Sequence, residues 1–503
     1  MTSKTSNPPS KSITKRAVID IGSNSVRLVI YDGFARSKFA ICNERALCSL
    51  GRFADDGEKK LDPDSVTRAL TELTRFRRIL AEHGDPPLSA IATAAIRDAS
   101  DGDSFIKKVE KLGMDVKILS GDEEAKLAAL GVRYFEPTAQ GVVGDMGGGS
   151  LELANIDDGK VGTCTSYALG PLSIARRLAE KKSSPSALIK SDFSKLKLPN
   201  GKNPRTLYVV GGAWRALARI HMNLRNYPLA VLHHYEMSLA EAIDVCELVS
   251  GLSRRSLEEI PGVSRRRIDT LPIAALVLKK LMERLEPKEI VVSAAGIREG
   301  LLYQELTRAE RDIDPCIEGA WFFSQQMSPQ PKFGGVALKV IKPLFPDLDD
   351  EENRLLRVAS TMIDISAYMH PDLRAQYAFD MVMRAPFTAM SHKERVWVAM
   401  ALYQRYKAGL LTRADNPALG ILRWREQKLA HRVGLAMRFA ASFSPKAMAP
   451  LKHCRLSIDD DTLVFSAPAD RREMMSETPL KRLSSLADAF DMEFVLAFDD
   501  DRK

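Results

Sequence analysis

At 503 residues the chain is too long for one hydrophobic core, and two to four domains are expected. Its 45% hydrophobic and 27% charged residues are those of an ordinary globular protein, and no apolar run approaches the ~18 residues a bilayer-spanning helix needs, so a membrane partner is not expected. The net charge of +8 lies almost wholly in the first 312 residues and favours polyanions without naming one, while six scattered cysteines without a C-x-x-C pair exclude a disulfide framework or zinc knuckle and fit reduced thiols in a cytoplasm.

Residues 1–15 are polar and rich in Ser, Thr, Pro and Lys, lack the apolar core of a secretion signal, and read as a disordered tail. From Ala17 an apolar run leads to Asp20, then the turn Gly22-Ser23-Asn24-Ser25, then a second run through Arg27 and Leu28 to Asp32-Gly33. The pattern returns 125 residues later, with Val142 leading to Asp145, the turn Gly147-Gly148-Gly149-Ser150, and a run through Glu152 and Leu153. Each copy reads as a β-hairpin with a small-residue turn. Small residues let successive backbone N–H groups converge on an anion, Ser and Asn side chains add donors, and an Asp at the end of the preceding strand can hold Mg²⁺ beside a phosphate. One such hairpin is more often structural than functional. Two matched copies, each opening an αβ-rich segment, make a two-lobed phosphate clamp.

After the first hairpin the pattern predicts a basic amphipathic helix over 64–83, a strand over 89–93, a helix over 104–112, a strand over 116–119 and a helix over 123–134. The second lobe has strands over 206–210, ending in Gly211-Gly212, and 290–293, ending near Gly296. This gives two mixed α/β lobes, 16–137 and 138–311. Asp122, Glu123 and Glu124 open a helix, where Ser120 and Glu123 make a capping box and acids suit the helix dipole; a carboxylate there, facing a phosphate cleft, can also orient water for in-line attack. Asp145 and Glu152 flank one turn, and a hairpin can bring both to one metal; Glu152 also reads as an outward strand residue. Arg97, between a short strand and a helix, can grip a phosphate oxygen bidentately or be a surface arginine. The runs Arg254-Arg255, Arg265-Arg266-Arg267 and Lys279-Lys280 can line a polyanion track, but such runs are usually solvated helix faces.

Asp314-Pro315 reads as a linker. Residues 317–427 follow as amphipathic helices, clearest over 370–383 and 392–406. Residues 428–503 read as a helix, a hairpin (454–458 and 463–466), a helix (480–490) and a strand (494–498), a small α+β domain.

Five motifs then stand in one order: Asp20-Ile-Gly-Ser-Asn-Ser25, Ala92-Thr-Ala-Ala-Ile-Arg97, Leu119-Ser-Gly-Asp-Glu-Glu-Ala125, Gly144-Asp-Met-Gly-Gly-Gly-Ser150 and Ser293-Ala-Ala-Gly-Ile-Arg-Glu-Gly300. Together they resemble the exopolyphosphatase/guanosine pentaphosphate phosphohydrolase (Ppx/GppA) family of the sugar-kinase–Hsp70–actin superfold. The resemblance implies an α/β fold of two actin-like lobes followed by a helical HD-like domain, here without a His-Asp dipeptide or matched partners for His370 and His392, and a small α+β domain. It implies that Glu124 activates the attacking water, that Asp145 and Glu152 hold Mg²⁺ or Mn²⁺ with Asp20 as their counterpart, and that a monovalent cation such as K⁺ can take part. Phosphate binding falls to Ser23, Asn24, Ser25, Arg97, Gly147, Gly148, Gly149 and Ser150, with Arg27 and Arg298 as further substrate contacts.

The expected function is an exopolyphosphatase, as a cytoplasmic homodimer with no nucleic-acid partner. The alternatives are a guanosine pentaphosphate phosphohydrolase, with the tetraphosphate as a further ligand, an ATP-using relative, or a non-catalytic polyphosphate or alarmone sensor. Ala213 departs from the family pattern, which has a hydroxyl residue after the glycine pair, and keeps the ATPase reading open.

Overall fold

The computed structural model describes residues 13–51, 59–180, 183–199, 206–261 and 263–499. Of the expected tail, residues 1–12 lie outside these; Thr14 and Lys15 are not free, because Thr14 N–H donates to Gly33 O (3.1 Å) and Lys38 Nζ donates to Thr14 O (2.6 Å). The chain falls into two compact units, 1–313 and 314–503.

Both Gly/Ser turns close their hairpins with the same hydrogen bond. Gly22 N–H donates to Ser25 O and Gly147 N–H to Ser150 O, each at 3.1 Å. The first turn joins β1 (Arg16–Ile21) to β2 (Ser25–Gly33), which pairs with β3 (Lys38–Leu47). Helix α1 (Pro63–Glu82) starts on an Asp62 cap and Pro63, and lays Ala69, Leu73, Phe76 and Leu80 on this sheet's core; such a cap contributes about 1 kcal/mol. β4 (Leu88–Ala92), α2 (Ala94–Arg97), α3 (Gly102–Glu110) and β5 (Val116–Ile118) complete a sheet of order β3-β2-β1-β4-β5, with β4 parallel to both β1 and β5.

Helix α4 (Gly121–Phe135) precedes the second hairpin, β6 (Gly141–Met146) and β7 (Leu151–Asp157), and β8 (Lys160–Tyr167). There follow α5 (Pro171–Glu180), α6 (Pro185–Phe193), β9 (Thr206–Val210), α7 (Gly212–Leu224), β10 (Tyr235–Ser238), α8 (Leu239–Gly251), α9 (Arg254–Glu259), α10 (Leu271–Leu285), β11 (Glu289–Val292), α11 (Ile297–Gln304) and α12 (Arg308–Arg311). Taken from β8, the second sheet runs β8-β7-β6-β9-β11-β10. It repeats the first sheet strand for strand and adds β10 antiparallel at the far edge. The sequence repeat is thus a repeat of topology.

Two helices depart from the lobe division at 137/138. The alanine face of α4 (Ala125, Ala128, Ala129) packs on Val143, Ala154 and Val210 of the second sheet. Leu302, Tyr303 and Leu306, in and just after α11, pack on Val18, Val29 and Tyr31 of the first. The opposite face of α4 keeps to the first lobe, with Tyr134 beside Val18, Val29 and Tyr31 and Leu127 beside Ile91, so the helix lies between the two sheets. Between α4 and α11 the backbones touch: a side-chain atom on Gly131 would stand 2.0 Å from Gly296 O, and one on Gly300 would stand 1.9 Å from Leu127 O.

In the second unit Asp314 is no linker residue. It caps α13 (Pro315–Met327), accepting from the N–H groups of Cys316 (2.8 Å) and Ile317 (3.0 Å), with Pro315 in the first turn, where its missing N–H costs nothing. Next come α14 (Phe333–Ile341), α15 (Asp350–Thr361) and α16 (Arg374–Arg384), the last preceded by a separate 3₁₀ turn at Pro371–Leu373. The helix expected over 370–383 therefore starts later. α17 (His392–Gln404) is buried on nearly every side, so the amphipathic expectation fails there. α18 (Trp424–Phe443) runs across residues 427 and 428, so the expected domain boundary falls inside a helix. β12 (Arg455–Asp459), β13 (Thr462–Pro468), α19 (Glu477–Phe490) and β14 (Glu493–Asp499) follow, with β13 central, antiparallel to β12 and parallel to β14. Phe439 and Phe443 of α18 pack edge-on against Phe465 of β13, which ties the helices to this sheet. Among the described residues no helix is long and apolar enough to cross a membrane.

Candidate active site

The two hairpin turns face each other. A side-chain atom on Gly149 would stand 3.6 Å from Ser23 Oγ and 3.7 Å from the Ala94 methyl, so any larger residue would fill the gap. Gly170 holds the second turn from behind, donating to Gly149 O (3.2 Å), while Leu172 N–H donates to Gly148 O (2.9 Å). Beside the turns opens a cleft of about 420 Å³ lined by Arg97, Ser120, Gly121, Gly149, Ser150 and Tyr167, among others.

One expected phosphate donor is already engaged. The Gly147 amide is committed to the turn through Ser150 O, so it cannot serve a phosphate as expected. Asn24 is exposed, and its carbonyl accepts from Cys48 N–H (3.2 Å) and Ser49 N–H (3.1 Å). Ser25 Oγ accepts from Arg45 Nε at 3.1 Å. Ser23, Gly148, Gly149 and Ser150 line the facing surfaces.

At the start of α4 two neighbouring glutamates do different work. Glu123 closes the capping box with Ser120 (2.9 Å to the Ser120 N–H) and pairs with Lys117 at 2.6 Å on the surface. Glu124 points inward, 4% exposed, and its carboxylate is bonded to the Arg97 guanidinium, which also donates to Leu119 O at 2.9 Å. Burial pushes the Glu124 carboxyl up to about 7 against the pull of Arg97, and the nearby charges of Asp145 and Asp20 push the same way. Arg97 thus holds the Glu124 carboxylate.

Asp20 and Asp145 end equivalent strands, but their cross-strand partners differ. Asp20 stands opposite Arg27 in the first hairpin, and Asp145 opposite Glu152 in the second. Burial raises all three carboxyls. Asp20 is steadied by Arg298 and Arg27, Asp145 sits at about 6 with Arg215 as its main positive neighbour, and Glu152 is driven well up by burial and then by Glu124 and Asp145. Glu152, 2% exposed, is no outward strand residue, and it accepts from Ser166 Oγ at 2.9 Å.

This donor set fits a hard divalent cation. It is all carboxylate oxygen, crowded with like charge, and its second hairpin carries two acids where the first carries an acid and an arginine. Among the described residues no three His, Cys, Asp or Glu side chains converge as a metal cage.

Behind the acids stands a bank of arginines that the sequence showed only in part. Arg27 donates to Asn43 Oδ1 (2.8 Å) and faces Arg45 across β2 and β3; burial, then Arg298 and Arg215, hold its guanidinium down to about 10. Arg215 donates to Ala294 O at 3.3 Å, and Arg267 donates to Gly212 O at 2.6 Å through space that a side chain on Gly212 would block. The Gly211-Gly212-Ala213-Trp214-Arg215 segment was informative for its arginine rather than for Ala213. Arg45 carried no signal, because β3 was not evident from the pattern. The other basic runs are surface pairs: Arg254 with Glu258 and Asp269, Arg255 with Glu259, Lys279 with Glu247, and Lys280 with Glu283.

Known proteins match this chain in the same places. A model of the Ppx/GppA phosphatase family matches residues 29–309, and one of the exopolyphosphatase C-terminal domain matches residues 344–495. Exopolyphosphatase 2 of Mycobacterium tuberculosis (strain CDC 1551 / Oshkosh) is 25% identical over 323 residues, 60% of this chain and 96% of that protein. Retrograde regulation protein 2 of Saccharomyces cerevisiae (strain ATCC 204508 / S288c) is 24% identical over 432 residues, 77% of this chain and 72% of that one. The crystal structure of the Aquifex aeolicus Ppx/GppA family member superposes with a TM-score of 0.52 at 24% identity, covering 60% of this chain and all of that one, and shows the actin-like fold. With two topologically repeated sheets and paired Gly/Ser turns, the chain belongs to the Ppx/GppA phosphatase family.

Proposed function

We propose that the chain is an exopolyphosphatase that releases terminal orthophosphate from inorganic polyphosphate. The observation that carries this reading is Glu124, a buried carboxylate bonded to Arg97 beside two facing small-residue turns. Relatives named exopolyphosphatase, and a match of residues 344–495 to the exopolyphosphatase C-terminal domain, support polyphosphate over a small nucleotide.

In this reading the terminal phosphate enters between Ser23 and Gly148–Ser150, and its charge draws the Arg97 guanidinium away from Glu124. Glu124, raised by burial to about 7, accepts a proton from water as the water oxygen attacks phosphorus. The bond to the bridging oxygen breaks and orthophosphate leaves. The arginines Arg27, Arg215, Arg267 and Arg298 hold the charges of the following phosphate units. Asp145 and Glu152, with Asp20 nearby, would hold Mg²⁺ or Mn²⁺, which when bound offsets charge on the phosphate oxygens.

The test is phosphate release from long polyphosphate, guanosine pentaphosphate and ATP under identical conditions. Fastest release from polyphosphate is expected. Preference for guanosine pentaphosphate reassigns the substrate within the family, release from ATP alone makes the chain an ATPase, and binding without release makes it a sensor.

A further inference from the structure

Ser166 belongs to none of the five motifs, yet it lies on β8 at the wall of the cleft, half-buried, sharing the lining with Arg97, Gly121 and Ser150. The strand registers set it in a row across the second sheet: Asp145 of β6 stands opposite Glu152 of β7, and Glu152 stands opposite Ser166 of β8. Directly opposed residues share one face of a sheet, so the three side chains project together. The Ser166 hydroxyl donates to Glu152 Oε1 at 2.9 Å. On its other side Ser166 meets the start of α4: a side-chain atom on Gly121 would stand 2.3 Å from Ser166 Cβ and 2.7 Å from its Oγ. The hydroxyl is thus set between Glu152 and the first residue of the helix that carries Glu124.

The topological repeat shows what is particular about this row. Its counterpart in the first sheet reads Asp20, Arg27, Arg45 across β1, β2 and β3. There an acid is followed by two cations; in the second sheet an acid is followed by another acid and a neutral hydroxyl. An arginine in the place of Ser166 would form an ion pair with Glu152 and cancel its charge. A hydroxyl gives one hydrogen bond and leaves the carboxylate its charge and its remaining lone pairs. The Ser150 side chain, also hydrogen-bonded to Glu152, is a neutral hydroxyl too. Two buried acids therefore stand side by side, one of them oriented by groups that do not neutralise it, and carboxylates that ligate metals are commonly held by hydrogen bonds of this kind.

We infer that Ser166 is a positioning residue for a divalent cation: its hydroxyl holds Glu152 in place beside Asp145 and leaves the charge of the pair uncancelled. The inference rests on the reading that Asp145 and Glu152 hold the metal, and goes beyond it by assigning a residue that acts only through Glu152.

Mn²⁺ binding to the full-length protein, titrated by electron paramagnetic resonance without substrate, tests this independently of turnover. Ser166→Ala deletes Oγ but keeps the Cβ that faces Gly121, so the packing against α4 is retained. Its Mn²⁺ dissociation constant should rise about tenfold, the lower end of what loss of a ligand's hydrogen-bond partner usually costs, with circular dichroism like the parent's. The Mn²⁺ concentration for half-maximal phosphate release should rise by the same factor, while kcat at saturating Mn²⁺ stays close to the parent's. Ser166→Cys, nearly the same size but a weaker donor, should fall between the two, and it supplies the readout if Ser166→Ala loses its circular dichroism. Glu152→Ala separates this inference from the reading beneath it. If Glu152→Ala binds Mn²⁺ as the parent does, the metal is held elsewhere, and both the reading and the inference fall. If Glu152→Ala binds weakly while the folded Ser166 variant keeps the parent's affinity, the reading stands and the inference is overturned.

Discussion

Arg97 and Glu124 are bonded to one another beside the cleft, although the resemblance gives one to the phosphate and the other to the water. On the proposed reading, a terminal phosphate exchanges one partner of Arg97 for another and frees Glu124. Glu124→Gln should lower turnover by ~10²–10⁴ while leaving polyphosphate affinity within a few-fold, since a positioned general base typically contributes that much. Stopped-time phosphate release with a parallel filter-binding assay checks both. Turnover within twofold of the parent would remove Glu124 from the chemistry. Arg97→Gln should instead raise KM, and the double variant should be less impaired than the product of the two single effects, because the two side chains are in contact.

Asp145→Ala and Glu152→Ala should each abolish most divalent-dependent activity, and excess chelator should do the same to the unmutated protein. Asp20→Ala should be milder, because Asp20 has Arg27 and Arg298 beside it. Titrating Mn²⁺ by electron paramagnetic resonance gives a readout independent of turnover: bound metal should fall in the first two variants, and unchanged binding would move the metal elsewhere.

Gly170 lies outside every motif, yet a side-chain atom there would stand 2.3 Å from Gly149 C and 2.4 Å from both Gly148 O and Ser150 N. Gly170→Ala should therefore displace the second turn. Overpacking of this kind costs about 1–3 kcal/mol, too little to unfold a chain of this size by itself. Activity should fall at least tenfold with circular dichroism intact, and a fully active variant would show that the turn's position is not critical.

His234 is held between Glu136 (2.8 Å) and Glu236 (3.2 Å). Burial disfavours its charge, but the hydrogen bonds to both carboxylates win and push the imidazole up to about 10. A folded-state value above the unfolded one, near 6.5, means that the protonated form contributes stability below pH 6.5, and that this contribution is lost between 6.5 and about 10. His234→Gln should lower the melting temperature at pH 6.5 and have progressively less effect towards pH 10. A pH-independent difference would contradict the pairing.

The sequence carried the repeat well because each hairpin is local: apolar alternation, an Asp and a small-residue turn are all within a dozen residues. The helix and strand bounds that flank β4, β5 and β9 followed for the same reason. What could not be read was anything set by partners distant in sequence. The seating of α4 and α11 between the sheets rests on clusters that join Ala128 with Ala154 and Tyr303 with Tyr31 across long separations. Arg45 and Arg215 carry no mark in the sequence until the fold brings them to Arg27 and Asp145 respectively. Burial on all sides erased the periodicity of α17, and Asp314-Pro315 was misread because a cap and a linker use the same residues.

The glycine contact between α4 and α11 has a mechanical consequence. Leu127 meets Gly300 and Gly131 meets Gly296 with no side chains between, so the helices run antiparallel like two rods in direct contact. Sliding would drive backbone into backbone, whereas a small roll keeps the contact. Gly131 and Gly300 are thereby the two positions at which any side chain would force these helices apart.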